Sequence, residues 1–423
     1  MIRRIMSVCA VLLMVLGLTA VPATAAGTPV EQQRDWLVNA RPPMSADDIE
    51  QHLTPELAAA VGGPDGFNAF LSSVAPLTPG TVLSESPGRL RQILSGPTGD
   101  FVTTLVVDAT GRLAGLQLAP YLPAPGSWTE IDTTLRTLAP RVSFAATRID
   151  PARGCTVVHG RDERTARPLG SMFKLYVLSA LARATATGRL SWDTEVPLKP
   201  EWKSLPSGVL QDQPDGTPFT LAEYARYMIS ISDNTATDHL IHTLGRPAVE
   251  REFPGTANRP LMTTRNLFTL KGWHYPATAK SYLAAPAPVR RATLPLLDRV
   301  PRTAITAWEQ PRDIDTLEWF ASPVDICRIY STLWQRHDPA VNAALTANDG
   351  GLALPASAYP TVWFKGGSEP GVLSLSYLAQ AADGTLVTAT LELSDPKHPL
   401  DEATLAPQAV ALLRGALTLA AAD

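Results

Sequence analysis

The stretch that decides how this chain is read is Arg167-Pro168-Leu169-Gly170-Ser171-Met172-Phe173-Lys174, followed by Leu175-Tyr176-Val177-Leu178. Phe173, Leu175, Tyr176, Val177, Leu178 and Leu181 supply a broad apolar face, and Gly188 stops the run, so a helix is predicted with Ser171 at its mouth. A serine there sits among unpaired backbone N–H groups at the positive end of the helix dipole, where an anion is stabilised. Lys174 lies one turn further on the same face, within reach of the hydroxyl. A serine becomes a nucleophile when a base takes its proton, and a desolvated lysine is such a base. Alone this pattern is weak, because roughly one or two S-x-x-K matches arise by chance in a chain of this size. Ser394-Asp395-Pro396-Lys397 is one such decoy, with a proline inside it and a strand ending at its serine.

Two further stretches raise its weight. Thr220-Leu221-Ala222-Glu223 has the form of a capping box and opens a helix through Tyr224–Ile231. That helix runs into Ser232-Asp233-Asn234, and a second helix follows over Thr235–Leu244, which the serine or the asparagine would cap. S-D-N arises by chance in roughly one chain of this length in twenty. Ser232 can relay a proton and Asn234 can offer its amide to a substrate carbonyl. The other stretch is Tyr359-Pro360-Thr361-Val362-Trp363-Phe364-Lys365-Gly366-Gly367-Ser368, read as a strand that ends in a lysine and two glycines, where a ligand backbone can approach. Only seven of the 36 basic residues are lysine, and two of the seven stand at motif positions. Lysine, unlike arginine, carries a removable proton.

Outward from these motifs, the first 26 residues read as a cleavable export signal. Arg3 and Arg4 precede an apolar core from Val8 to Val21, and Ala23-Thr24-Ala25 is a small-residue cleavage site. The expected destination is secreted or cell-envelope, with no membrane anchor in the mature chain, since no second apolar stretch is read as long enough to span. A net charge of −4 and a pI near 6.0 advertise no nucleic-acid partner. The seven histidines show no ligand spacing, so neither a metal nor another cofactor is expected. Cys155 and Cys327 remain after signal removal, and the sequence leaves both a disulfide and two free thiols open.

Residues 27–126 read as a small α+β domain and its linker, 127–423 as the domain with the motifs. In the former, helical patterns over Val30–Asn39, Ser45–Val61 and Phe67–Leu77 precede strands Arg89–Leu94, Phe101–Asp108 and Arg112–Leu118. It shows no catalytic constellation, which suits a binding or positioning domain. Pro120-Tyr121-Leu122-Pro123-Ala124-Pro125-Gly126 reads as the linker. In the latter, Trp128–Leu138 is an amphipathic helix, and Val142–Arg148 and Cys155–His159 are paired strands. Val372–Gln380 and Leu386–Leu393 continue an antiparallel sheet, and Pro407–Ala421 is a closing helix with proline in its first turn.

S-x-x-K, then S-D-N 61 residues on, then a K-G-G variant of K-T-G, resembles the serine β-lactamase and penicillin-binding protein superfamily, class A-like, over residues 127–423. The pairing with a small leading domain resembles a subgroup associated with clavulanic-acid biosynthesis, whose leading domain is similar to the cone-shaped steroid-isomerase fold. The resemblance implies an α/β (α+β) protein: an all-α region beside an antiparallel sheet with flanking helices. It implies Ser171 as acylated nucleophile, Lys174 as general base, Ser232 as proton shuttle and Lys365 as fixed charge. Asn234, Gly366, Gly367 and Ser368 would bind substrate, and the backbone N–H groups of Ser171 and Ser368 would form the oxyanion hole. The substrate would be a β-lactam, ester, amide or peptidoglycan-derived molecule.

The chain departs from the family in two places. Gly366 replaces a hydroxyl residue, for which Ser368 is a substitute. Ser232 and Lys365 are 133 residues apart, longer than usual, so residues 262–312 hold an insertion near the family's Ω loop. No E-x-x-L-N is found there to carry a deacylating glutamate. Glu309, Glu318, Asp313 and Asp315 are weak substitutes, each expected to be a solvated acid. Slow turnover of β-lactams is therefore expected. A D-alanyl-D-alanine peptidase and a non-catalytic β-lactam or cell-wall binder are the alternatives, whereas an α/β-hydrolase is excluded because no G-x-S-x-G occurs.

Overall fold

The computed structural model describes residues 27–150 and 153–422, so the export-signal reading of residues 1–26 lies outside the described residues. The chain divides into two compact units, the first running to Pro123 and including Ala353–Ala358, the second comprising Ala124–Leu352 and Tyr359 onward.

The first unit starts with α1 (Pro29–Asn39), opened by a Thr28/Glu31 capping box, and continues with α2 (Ala46–His52), α3 (Pro55–Ala60) and α4 (Gly63–Val74). The single helix expected over Ser45–Val61 is two, because Pro55 forces Thr54 into extended backbone. Thr54 then caps α3 by accepting from Leu57 N. Strands β1 (Thr78–Ser86), β2 (Arg89–Gly96), β3 (Gly99–Val107) and β4 (Leu113–Tyr121) form an antiparallel meander in that order. Strand β1 escaped the sequence reading because Leu83 is its one buried residue, so no alternation marks it. Pro120 and Tyr121 belong to β4, paired with Phe101 and Asp100, and not to a linker. An edge strand tolerates that proline. Val30, Leu37, Phe67, Leu71, Leu90 and Leu105 fill the core.

The second unit opens with α5 (Trp128–Leu138), β5 (Arg141–Asp150), β6 (Gly154–Arg161) and the two-residue β7 (Arg167–Pro168). One 3₁₀ turn, Gly170–Phe173, leads into α6 (Lys174–Ala186). A ribbon of β8 (Glu195–Pro197) and β9 (Pro218–Thr220) precedes α7 (Leu221–Ser230), which the predicted Thr220/Glu223 box caps. Then follow α8 (Asn234–Leu244), α9 (Arg246–Glu250), α10 (Thr264–Gly272), α11 (Ala277–Ala284) and α12 (Ala287–Leu297). Strand β10 (Phe320–Ala321) pairs with β7, and α13 (Pro323–Trp334) and α14 (Pro339–Thr346) come next. Strands β11 (Thr361–Glu369), β12 (Val372–Gln380) and β13 (Leu386–Ser394) and helix α15 (Glu402–Ala422) complete the unit.

The main sheet has the order β11-β12-β13-β5-β6, all antiparallel. Strands β12 and β13 are buried at nearly every position, so both faces are covered. Helix α6 is itself buried on almost every side, which explains why its apolar face looked so broad.

Three expectations need correction. Lys365-Gly366-Gly367 does not end its strand, since β11 stays in register through Glu369↔Val372. Pro407 sits well inside α15, which begins five residues before it. That 21-residue helix also has the length and apolar composition of a membrane span, although half of the qualifying window is buried, with Val410, Leu412, Leu413 and Leu417 inward. The open question of the cysteines is answered by a disulfide between Cys155 of β6 and Cys327 of α13, with Cα atoms 6.1 Å apart.

Candidate active site

The three motif stretches converge on one cavity of about 790 Å³ in the second unit, lined by Ser171, Ser232, Asn234, Lys365, Gly366, Gly367 and Ser368 among others. Lys174, with no exposed surface, lies beneath it.

Ser171 is placed by backbone packed directly on backbone. Gly170 has φ +50°, a conformation that favours glycine, and a Cβ there would stand 2.9 Å from Ser368 N. On the facing strand, a Cβ at Gly367 would stand 2.3 Å from Ser171 N. Two glycines thus let the serine turn and β11 approach until the candidate oxyanion donors are neighbours. Ser374 of β12 secures the contact, its hydroxyl donating to Leu169 O at 2.5 Å and to Gly367 O at 3.2 Å.

Ser232 stands at φ +57°, an unusual conformation for a non-glycine residue. It is held there by its neighbours. Its carbonyl accepts from Lys174 Nζ at 2.6 Å and from Ser207 Oγ at 2.7 Å. The cap of α8 is Asp233, and neither Ser232 nor Asn234 as expected from sequence: Asp233 Oδ1 accepts from Ala236 N, while its Oδ2 accepts from Val209 N and Leu210 N. A cap buried this way fixes the residues on either side of it. Asn234 Nδ2 donates to Leu205 O at 3.0 Å, turning its Oδ1 toward Lys174.

Lys174 Nζ stands within hydrogen-bond distance of three oxygens, Ser232 O, Ser232 Oγ (3.2 Å) and Asn234 Oδ1 (2.7 Å). The expected direct bond to the Ser171 hydroxyl is not among them. All three partners are neutral oxygens. Burial and then the positive charge of Lys365 push the Lys174 pKa well below its ordinary value, against the opposing pull of Asp233 and Asp238. Lys365, also buried, donates to Ser232 Oγ at 3.0 Å and to Gly366 O at 2.6 Å, and burial brings its pKa down to about 7. Ser232 Oγ therefore bridges two lysines, the position from which a hydroxyl can relay a proton.

Gly366 has a packing reason. A Cβ there would meet Leu375 Cδ2 and Phe364 Cζ, each at 3.0 Å, so the room for the family's hydroxyl is taken by apolar side chains. Ser368 is exposed at the cavity and free of that obstruction.

Of the four weak acids, Glu309 is exposed and Asp315 pairs with Arg141 Nη1 at 2.7 Å. Asp313 is half-buried beside Tyr275. Glu318 contradicts the expectation of a solvated acid. It is buried, lines the cavity, and accepts from Gly170 N through Oε2 at 3.2 Å. Burial and the neighbouring Glu369 raise its pKa well above the ordinary value. The sequence reading missed Lys271, Glu369 and Glu402, the last lining the cavity beside Ser368 with its pKa raised by burial. The scarcity of lysine could have flagged the first, and adjacency to Ser368 the second.

Residues 148–279 match the family described as Beta-lactamase enzyme family, a segment that holds Ser171, Lys174, Ser232 and Asn234. The second unit, of mixed α/β class, thus contains a segment similar to that family. Among solved structures, a β-lactamase from Sphaerobacter thermophilus DSM 20745 is 20% identical, over 70% of this chain and 98% of that one, with a TM-score of 0.46. A β-lactamase from Chitinophaga pinensis DSM 2588 is 17% identical over 70% and 98%, with a TM-score of 0.47. The penicillin-binding protein PBP-A is 17% identical over 71% and 98%, with a TM-score of 0.45. No curated protein matches the chain.

Proposed function

We propose that the protein is an exported serine hydrolase of the β-lactamase-like type, acting through an acyl ester on Ser171 with a β-lactam, amide or ester as substrate. The observation that carries this reading is the Lys174 amine: buried, bonded only to neutral oxygens, and held well below its ordinary pKa beneath the cavity that Ser171 lines.

In the proposed sequence the neutral Lys174 amine takes the Ser171 hydroxyl proton as Oγ bonds to the substrate carbonyl carbon. The carbonyl electron pair moves onto oxygen, facing the backbone N–H groups of Ser171 and Ser368. The pair returns, the bond to the leaving nitrogen or oxygen breaks, and the proton passes from Lys174 through Ser232 Oγ to the leaving atom. Asn234 orients the acyl group, and Lys365 steadies the Ser232 hydroxyl. Water then adds to the ester carbon, loses its proton and releases the acid with Ser171 restored.

That last step is the slow one for β-lactams. Their ring nitrogen stays attached to the acyl group and fills the site. Glu318 lines the cavity, and its Oε2 accepts from Gly170 N and Trp319 N. The E-x-x-L-N glutamate is missing, and loss of a general base costs about 10²–10⁴-fold in rate. Small esters, whose leaving group departs, are expected to turn over faster.

Treatment with a penicillin or a fluorophosphonate, followed by peptide mass mapping, tests the assignment. An adduct on Ser171 that is absent from Ser171→Ala is expected. An adduct elsewhere, or unchanged labelling of Ser171→Ala, refutes it.

A further inference from the structure

Three charged side chains with no part in acyl transfer meet behind the serine turn. Lys271, near the end of α10, is fully buried, and its ammonium bonds Glu369 Oε1 and lies 3.8 Å from Glu318 Oε1. Glu318 holds the turn through its Oε2, which accepts from Gly170 N at 3.2 Å and from Trp319 N at 3.0 Å. Glu369 ends β11 and directly follows Ser368. The cluster therefore grips the residue before Ser171 on one side and the residue after Ser368 on the other.

We propose that Lys271, Glu318 and Glu369 form an ionic clamp that sets the spacing between the Ser171 turn and β11, and with it the separation of the two oxyanion donors. They are positioning residues, and the clamp rests on the reading of Ser171 as the nucleophile.

The contact between the two segments explains why a clamp is needed. Gly170 and Gly367 meet there as bare backbone, and beside the Ser374 hydroxyl, which bridges Leu169 O and Gly367 O, no interlocking side chains define their distance. A buried ion cluster one residue away on either side supplies the definition, since its partners lose much if they separate. One ammonium faces two carboxylates. Glu318 Oε1 and Glu369 Oε2 are buried with no hydrogen-bond partner among the described residues, and burial and the neighbouring Glu369 raise the Glu318 pKa well above its ordinary value.

The insertion supplies the anchor. Arg312 Nη1 donates to Lys271 O, while Thr306 donates to Gly272 O from its backbone N at 3.0 Å and from its hydroxyl at 2.8 Å. Residues 306 and 312 thus hold the backbone at the end of α10, where Lys271 stands.

The test compares wild type with Lys271→Met, Lys271→Arg and Glu369→Gln, using p-nitrophenyl acetate turnover and inhibition by phenylboronic acid. The boronate adds to Ser171 Oγ as a tetrahedral anion and so reports the oxyanion hole. Lys271→Met is expected to lower kcat by about 10–10²-fold and to weaken boronate by a similar factor, with KM within about twofold. Lys271→Arg should recover most of both. If Lys271→Met does not fold, Glu369→Gln carries the test, with kcat and boronate affinity expected to fall together. A folded Lys271→Met, or in its place Glu369→Gln, with wild-type kcat and boronate affinity overturns the clamp. A wild-type protein that neither binds boronate nor forms a Ser171 adduct overturns the nucleophile reading instead, and the clamp with it.

Discussion

Lys174 and Lys271 are both fully buried in the second unit, and they are opposites. Lys174 touches only neutral oxygens, from Ser232 and Asn234. Lys271 touches the carboxylates of Glu318 and Glu369. Taking an ammonium out of water is costly unless a counter-charge meets it. Where none is in contact, the amine tends to give up its proton and can act as a base. Where two carboxylates meet it, the charge is a fixture that holds structure. On the proposed reading, chemistry at one lysine and architecture at the other follow from first neighbours, not from depth of burial.

The sharpest way to break this contrast is to make the same substitution at both places. Arginine keeps its proton, so Lys174→Arg should acylate about 10²–10⁴-fold more slowly than wild type, measured by single-turnover mass spectrometry with a penicillin. Lys271→Arg should retain most of its rate. Equal losses at the two positions would erase the distinction.

A smaller effect is expected where the two lysine neighbourhoods meet, at the glycine contact. Gly367→Ala places a methyl against Ser171 N and must push β11 away from the turn. About 10²-fold loss of ester kcat is expected, with KM little changed, since a shift near 1 Å costs on that order.

The pH profile separates the lysines further. Acylation needs the neutral Lys174 amine, so the rate should fall as pH drops through its lowered pKa, and the fall should stop at a slow plateau in Lys174→Arg. Ionisation of Lys365 near pH 7 acts on the same Ser232 hydroxyl and broadens the transition.

The smallest effect on catalysis is expected at the Cys155–Cys327 disulfide, which joins β6 to α13 and involves neither lysine. Its closed loop spans 172 residues, so Cys155→Ser with Cys327→Ser should cost about 2–4 kcal/mol of stability, read by denaturant unfolding. Ester kcat of the folded variant should stay within about threefold.

Much of this was legible in the sequence because the site is built from short local motifs. S-x-x-K and S-D-N each lie within one turn at a helix end, so each motif is legible by itself, although the bonds between them, from Lys174 to Ser232 and Asn234, are long-range. The helices α5, α7 and α8 and the strands β5, β6, β12 and β13 carried clear periodicity. What stayed hidden depends on distant contacts. Glu318 looked like a surface acid because nothing nearby announces that Gly170, 148 residues earlier, will donate to it. Gly366 looked like a lost hydroxyl until Phe364 and Leu375 were seen to occupy its space. Asp233 as the cap of α8, and Pro407 within α15, turn on hydrogen bonds that residue type only suggests.

The account turns on the protonation of Lys174, and seven lysines in the whole chain make that directly measurable. Lysine labelled with carbon-13 at Cε, followed by NMR across pH, with Lys174→Arg to assign the signal, reads its titration. The account predicts a Lys174 resonance that titrates well below the ordinary lysine range. Titration of that resonance in the ordinary range, in protein that still acylates at neutral pH, would contradict it.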